Sequence, residues 1–242
     1  MNIIELYNDD CMNVLDTITH EIDLVILDLP YGQTNCIWDK KIDVNLLWTK
    51  LKKISKINTA YIFFTTTKFG IELIQSNPKW FRYDLVWSKP NSGAGFLNAK
   101  KMPLRNHEML YVFYNKLPTY NVGLYHTNKK MTNKTLPNQS VMYSGKKYSI
   151  HTEYEPRLPR SILEYSVTNK SIKGNHSTEK PVELLKWLIK YYSNENDVVL
   201  DVTMGSGSTG VASAELNRAF IGIELNKDFY DIACDRLMRF LN

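Results

Sequence analysis

Asp201-Val202-Thr203-Met204-Gly205-Ser206-Gly207-Ser208-Thr209-Gly210 follows the apolar run Val198-Val199-Leu200 and leads into Val211-Ala212-Ser213-Ala214. That order reads as a buried strand, a G-x-G-x-x-G turn and a helix. Glu224 closes the next apolar run, Phe220-Ile221-Gly222-Ile223. Glycines at these spacings let backbone approach a nucleotide-like ligand at the start of a helix, and an acid after the following strand can accept hydrogen bonds from both ribose hydroxyls. Residues 211–242, 32 in all, are too few to complete a dinucleotide-binding domain of two βαβαβ halves in an unpermuted chain. Of the two ligands that suit the turn, a dinucleotide and S-adenosylmethionine, the second is therefore favoured, and a nicotinamide-dependent oxidoreductase is the weaker alternative.

Outward from this turn the same alternation recurs. Asp23 to Leu27 and Tyr61 to Thr65 read as strands, with an apolar-periodic helix from Val44 to Ile54 between them. Strands are expected at Tyr83 to Trp87 and Met109 to Tyr114. Helices are expected from Pro181 to Tyr192, Thr209 to Leu216 and Asp228 to Phe240. Strand and helix in turn imply an α/β fold with a mostly parallel sheet. Asp28-Leu29-Pro30-Tyr31-Gly32 directly follows the strand Leu24 to Leu27, so a carboxylate, backbone carbonyls and an aromatic ring fall at a strand's carboxyl end, where open α/β sheets bind ligands. An Asp carboxylate and a neighbouring carbonyl can each accept one N–H of an exocyclic amine, while Tyr31 can stack on a planar ring.

Charge marks the middle of the chain. Net charge is +5 over 242 residues, yet between Lys100 and Lys173 there are 13 Lys and Arg against 4 Glu, leaving the remainder with an acidic excess. Tyr120, Tyr125, Tyr143, Tyr148 and Tyr154 interleave with these cations, a composition suited to phosphate contacts and base-edge hydrogen bonds. The first 20 residues contain Glu5, Asp9, Asp10 and Asp16 and no Lys or Arg, unlike a secretory leader, and a cytoplasmic location is expected. Cys11, Cys36 and Cys234 form no C-x-x-C pair, so neither a disulfide framework nor a metal site is expected. Asn106-His107-Glu108 has no second ligand cluster near it in sequence and reads as structural.

Four stretches in order resemble the DNA amino-methyltransferases of the permuted β group. Asp28-Leu29-Pro30-Tyr31 is similar to that family's D-P-P-Y, Trp87-Ser88-Lys89-Pro90-Asn91 to its W-x-K-x-N, His176-Ser177-Thr178-Glu179-Lys180-Pro181 to its H-P-T-Q-K-P, and Asp201 to Gly207 to its D-P-F-x-G-S-G. Leu29, Ser177, Glu179 and Val202-Thr203-Met204 depart from the pattern without removing a reactive group.

The resemblance implies a Rossmann-like fold for S-adenosylmethionine-dependent methyl transfer. Residues 1–114 would be the catalytic part, 115–165 an inserted target-recognition region and 166–242 the cofactor-binding part. It implies catalytic roles for Asp28, Leu29, Pro30 and Tyr31. It assigns cofactor contacts to Asp10, Cys11, Thr178, Lys180, Asp201, Thr203, Gly205, Ser206, Gly207 and Glu224. Asp10 also reads as the N-cap of a helix from Met12 to Ile18.

The substrate implied is double-stranded DNA. By the same resemblance, Asp at position 28, where family members acting on cytosine more often carry Ser, implies the N6 amine of a flipped-out adenine over the N4 amine of cytosine, which stays the alternative. A ring-carbon cytosine methyltransferase needs a Cys after a proline, whereas Cys36 follows Asn35. The sequence leaves homodimerisation and a cognate restriction endonuclease open.

Overall fold

The computed structural model describes residues 3–30, 41–122, 158–167 and 179–240, and the backbone of 134–136 and 148–150. The chain separates into two compact units, one formed by Met1–Tyr120 with Ser161–Asn242 and the other by Asn121–Arg160. In the second unit, β6 (Lys134–Leu136) and β7 (Tyr148–Ile150) pair antiparallel.

The first unit is built on one eight-stranded sheet. In chain order its strands are β1 (Ile4–Tyr7), β2 (Ile22–Leu27), β3 (Ser55–Thr65), β4 (Phe81–Ser88), β5 (His107–Phe113), β8 (Ile162–Glu164), β9 (Val198–Asp201) and β10 (Ala219–Ile223). In space the order is β1-β10-β9-β2-β3-β5-β4-β8. β5 is antiparallel to both neighbours, and every other pairing is parallel. Strands buried on both faces suit a parallel sheet covered by helices, and Leu24, Val25, Ile26 and Leu27 are all buried.

Among the described residues six helices belong to this unit: α1 (Cys11–Val14), α2 (Val44–Ile54), α3 (Thr67–Ser76), α4 (Val182–Tyr192), α5 (Ser208–Glu215) and α6 (Lys227–Met238). α2 places Val44, Leu47, Trp48 and Leu51 at helical spacing on the sheet, and its start is capped by Asp43, which accepts from the amides of Asn45 (2.9 Å) and Leu46 (3.1 Å). Trp48 is the centre of that face. Its ring lies 5.1 Å from Tyr61, 5.3 Å from Phe63 and 5.4 Å from Phe113, and its indole N–H donates to Ser76 Oγ at 3.0 Å. On the opposite face α5 comes so close to the sheet that a Cβ on Gly210 would lie 2.7 Å from the Phe220 ring. α6 packs on α5 through Ala233 and Leu237, which flank Gly207 and Gly210.

The expected helix from Met12 to Ile18 is shorter than its apolar pattern suggested: α1 ends at Val14 and turns follow it. α3, β1 and β8 carry no expectation from the sequence. α2 coincides with the reading, and α4, α5 and α6 differ from it by a residue or two at their ends.

Candidate active site

The connection from β2 leads through α2 to β3 on one side, and that from β9 leads through α5 to β10 on the other. β2 and β9 are adjacent and parallel, so the chain winds outward in both directions from their carboxyl ends. Such a reversal opens a crevice at the sheet edge, the usual ligand position in open α/β sheets. Asp28 leaves β2 at this edge and Asp201 ends β9. The hydroxyl of Thr203 donates to the backbone carbonyl of Asp28 at 3.2 Å, tying the two loops together.

Asp201 is nearly buried. Its oxygens accept from the amide of Thr203 (3.1 Å) and the hydroxyl of Thr209 (2.6 Å). Burial pushes its carboxyl up to about 7, against the pull of those two donors. Glu224, one residue beyond β10, accepts from the amides of Gly205 (2.9 Å) and Asn226 (2.8 Å) and so holds the glycine turn. Burial raises its carboxyl as well.

Gly205 has φ +54 and Gly207 has φ +81, the left-handed region that favours glycine. A Cβ on Gly205 would meet nothing within 4 Å, whereas one on Gly207 would lie 2.9 Å from Ala233 Cβ. One glycine therefore faces open space and the other faces packed helix. Ser206 is buried, and its carbonyl and hydroxyl accept from Arg236 at 2.9 and 3.0 Å. Arg236 also pairs with Glu179 at 2.8 Å, and Glu179 in turn accepts from Ser208 Oγ at 2.7 Å. Glu179 thus has a cation of its own, and it joins the segment before α4 to the glycine turn.

At the other side of the crevice Lys180 pairs with Asp28 and lies 3.8 Å from Glu108, which pairs with Lys89. Burial works against the Lys180 ammonium, but Asp28 and Glu108 outweigh it and hold its pKa above the ordinary value. Burial likewise opposes ionisation of Glu108, and Lys180 and Lys89 overcome it, holding that carboxyl below its usual range. In sequence Glu108 reads as structural. It comes to the site because β5 runs antiparallel, which brings the start of that strand, rather than its end, to the carboxyl edge. Lys180, which the resemblance assigns to the cofactor, pairs with the carboxylate of Asp28.

Leu29 is buried in the core cluster on the α1–α3 side of the sheet, so its side chain anchors the end of β2 where the family has proline. Pro30 is partly buried beside it. Asp10 caps α1, accepting from the Met12 amide at 2.8 Å. Cys11 is buried, and burial pushes its thiol up to about 12, which makes it a poor nucleophile. Both lie after β1, beside β10 and the Glu224 end of the crevice. Tyr31 and Thr178 lie outside the described residues, as does most of 115–165. Among the described residues no group of three His, Cys, Asp or Glu is placed to hold a metal ion, and no helix is long and apolar enough to cross a membrane.

The chain has the fold of an S-adenosylmethionine-dependent methyltransferase. The structure of the M1.HpyAVI-SAM complex matches it with a TM-score of 0.67 at 21% identity, covering 97% of this chain and 99% of that one. The PvuII DNA methyltransferase (cytosine-N4-specific) gives 0.69 at 14% identity, covering 98% and 86%. Within that class, residues 22–235 match the family model described as DNA methylase (N6_N4_Mtase), and the chain belongs to this family. The type II methyltransferase M1.MboII of Moraxella bovis is 26% identical over 254 residues, spanning 96% of each chain. The chain is accordingly a DNA methyltransferase, and S-adenosylmethionine is the methyl donor of its class.

Proposed function

We propose that this protein methylates the exocyclic N6 amine of adenine within a specific sequence of double-stranded DNA. The observation that carries the reading is the juxtaposition of Asp28, on its Leu29-anchored loop, with the Thr203–Gly207 turn at the crossing of the sheet. The donor fits this edge. Gly205 opens on free space between Asp201 and Glu224, and carboxylates suit ribose hydroxyls and a cationic sulfonium. Asp10, Cys11, Thr178, Lys180, Asp201, Thr203, Gly205, Ser206, Gly207 and Glu224 would hold it. It supplies an already activated methyl group, so placement of the amine is the larger part of catalysis.

The amine of adenine is a weak nucleophile because its lone pair is delocalised into the ring. Asp28 and the carbonyl of Leu29 or Pro30, accepting its two N–H groups, favour the tetrahedral nitrogen that can attack. Asp28 need not remove a proton before transfer, since the cationic product can lose it afterwards. A base inside a duplex cannot reach this crevice, so the nucleotide is flipped out, with Tyr31 stacking on it. The basic region within 115–165 supplies phosphate contacts and target recognition. Asp at position 28, rather than the Ser more frequent among cytosine-N4 enzymes, supports adenine.

The test is incorporation of labelled methyl from S-adenosylmethionine into unmethylated DNA, followed by digestion to nucleosides. N6-methyldeoxyadenosine should form and should fall at least about 100-fold with Asp28→Ala. N4-methylcytosine would overturn the base assignment and keep the site. Methyl incorporation undiminished in the variant would overturn the role of Asp28.

A further inference from the structure

Between β4 and β5 the chain leaves the carboxyl edge of the sheet and returns to it over residues 89–106. The excursion is closed by backbone hydrogen bonds at its base: Lys89 N–H to Asn106 O at 2.7 Å, Ala94 N–H to Arg105 O at 2.8 Å and Arg105 N–H to Ala94 O at 3.0 Å. Its tip is a 3-10 turn over Phe96–Asn98, entered through Gly95 at φ +87. Asn98 O accepts from the amides of both Lys101 and Met102. This loop is thus held in shape by its own backbone, yet it leaves Phe96 73% exposed, Leu97 87%, Met102 54% and Leu104 47%. Four large apolar side chains held out on one short loop suit a binding surface.

The charge around them identifies the partner. From Lys89 to His107 there are four cations, Lys89, Lys100, Lys101 and Arg105, and no Asp or Glu. An apolar tip on a purely cationic stem fits a partner that is anionic outside and apolar between its layers, which is a stacked nucleic acid duplex. Position points the same way. Lys89 at the foot of the loop pairs with Glu108, which faces Lys180, which holds Asp28. The loop therefore rises from the sheet edge that receives the target base. Taking a base out of a duplex costs a few kcal/mol of stacking and pairing, and an apolar side chain entering the stack offsets part of that cost.

We infer that the β4–β5 loop enters the DNA beside the target nucleotide, with Phe96 and Leu97 occupying the stack and Lys100 and Lys101 on the flanking phosphates. The inference rests on the DNA methylation reading above and adds to it a place where the duplex is opened. Its test compares wild type with the double variant Phe96→Ala, Leu97→Ala on two DNAs. One is a duplex bearing the sequence that wild type methylates, and the other is the same duplex with the target base opposite an abasic site. Because both side chains are exposed, Tm and S-adenosylmethionine binding should be unchanged.

On the paired duplex kcat/KM should fall about 10- to 100-fold, and on the abasic duplex, where the base is already loosened, by no more than about 3-fold. Equal losses on the two DNAs, or no loss on either, would overturn the wedge. So would sedimentation showing that the double variant turns a dimer into a monomer, which would assign the tip to contact between copies. If wild type methylates no DNA at all, the underlying reading fails first. If it methylates both DNAs and the variant shows no selective loss on the paired one, only the wedge fails.

Discussion

At the residue scale the site is a balance of buried charge. Lys180, with 12% of its side chain exposed, serves both Asp28 and Glu108, and Glu108 has Lys89 as a second cation. Removing one member of such a group leaves another charge buried without compensation. Asp201 is different, because it meets burial with hydrogen bonds from Thr203 and Thr209, and Asp28 and Glu224 nearby add to its reluctance to ionise. Its pKa near 7 lies above the ordinary 3.8, so between these values the folded chain holds a proton that the unfolded chain has released. Stability contributed by this group therefore falls as pH rises from about 4 to about 7 and is level above. Asp201→Asn, neutral throughout, should gain in Tm on wild type by several degrees between pH 5 and pH 7.5 when melts are compared without cofactor. A constant difference across that range would refute the assignment. Of the residues in this balance, Asp28 and Asp201 were legible because each follows an apolar run. Glu108 was not, because its place depends on the direction of a strand, and strand direction is a property of the sheet rather than of any local pattern.

At the element scale the glycine turn before α5 depends on how closely α5 and α6 approach. Gly207 enters α5 at φ +81 with Ala233 of α6 directly over it. Gly207→Ala sets a left-handed backbone cost of about 1–2 kcal/mol beside a steric one. We expect a loss of about 2–3 kcal/mol in urea denaturation and at least tenfold weaker S-adenosylmethionine binding by calorimetry. Unchanged binding would mean that the turn tolerates a shifted α6. The long amphipathic elements were readable, α2 to the residue, because periodicity and caps agree there. α3 was not. Its apolar face includes Gly70, which reads as a breaker in sequence but in the structure admits the Tyr111 ring, 2.4 Å from where a Cβ would stand. β8 and β1, at three and four residues, are too short to show a period.

At the scale of the whole molecule the middle of the chain, with 13 cations against 4 acids between Lys100 and Lys173, should make DNA binding strongly salt-dependent. If 6–10 phosphate contacts form, affinity should fall by about 10³-fold or more between 50 and 200 mM salt. Binding titrations across that range check it, and a flat response would remove the electrostatic role of this region. Fold class was legible because strand and helix alternate along the chain and four motifs occur in one order. The spatial order of the strands was not, since β2 and β9 are neighbours although Asp28 and Asp201 stand far apart in sequence. That adjacency bears on how the protein is made. Among the described residues β1 is bonded to the sheet only through β10, and one edge of β2 is covered only by β9. While a ribosome is still translating residues before 198, the backbone N–H and C=O groups along one edge of β2 stay unpaired and β1 has no strand to join. Emerging chains therefore carry an open strand edge, prone to pairing with other chains, through most of synthesis, and the sheet is complete only once residues 198–223 have left the exit tunnel.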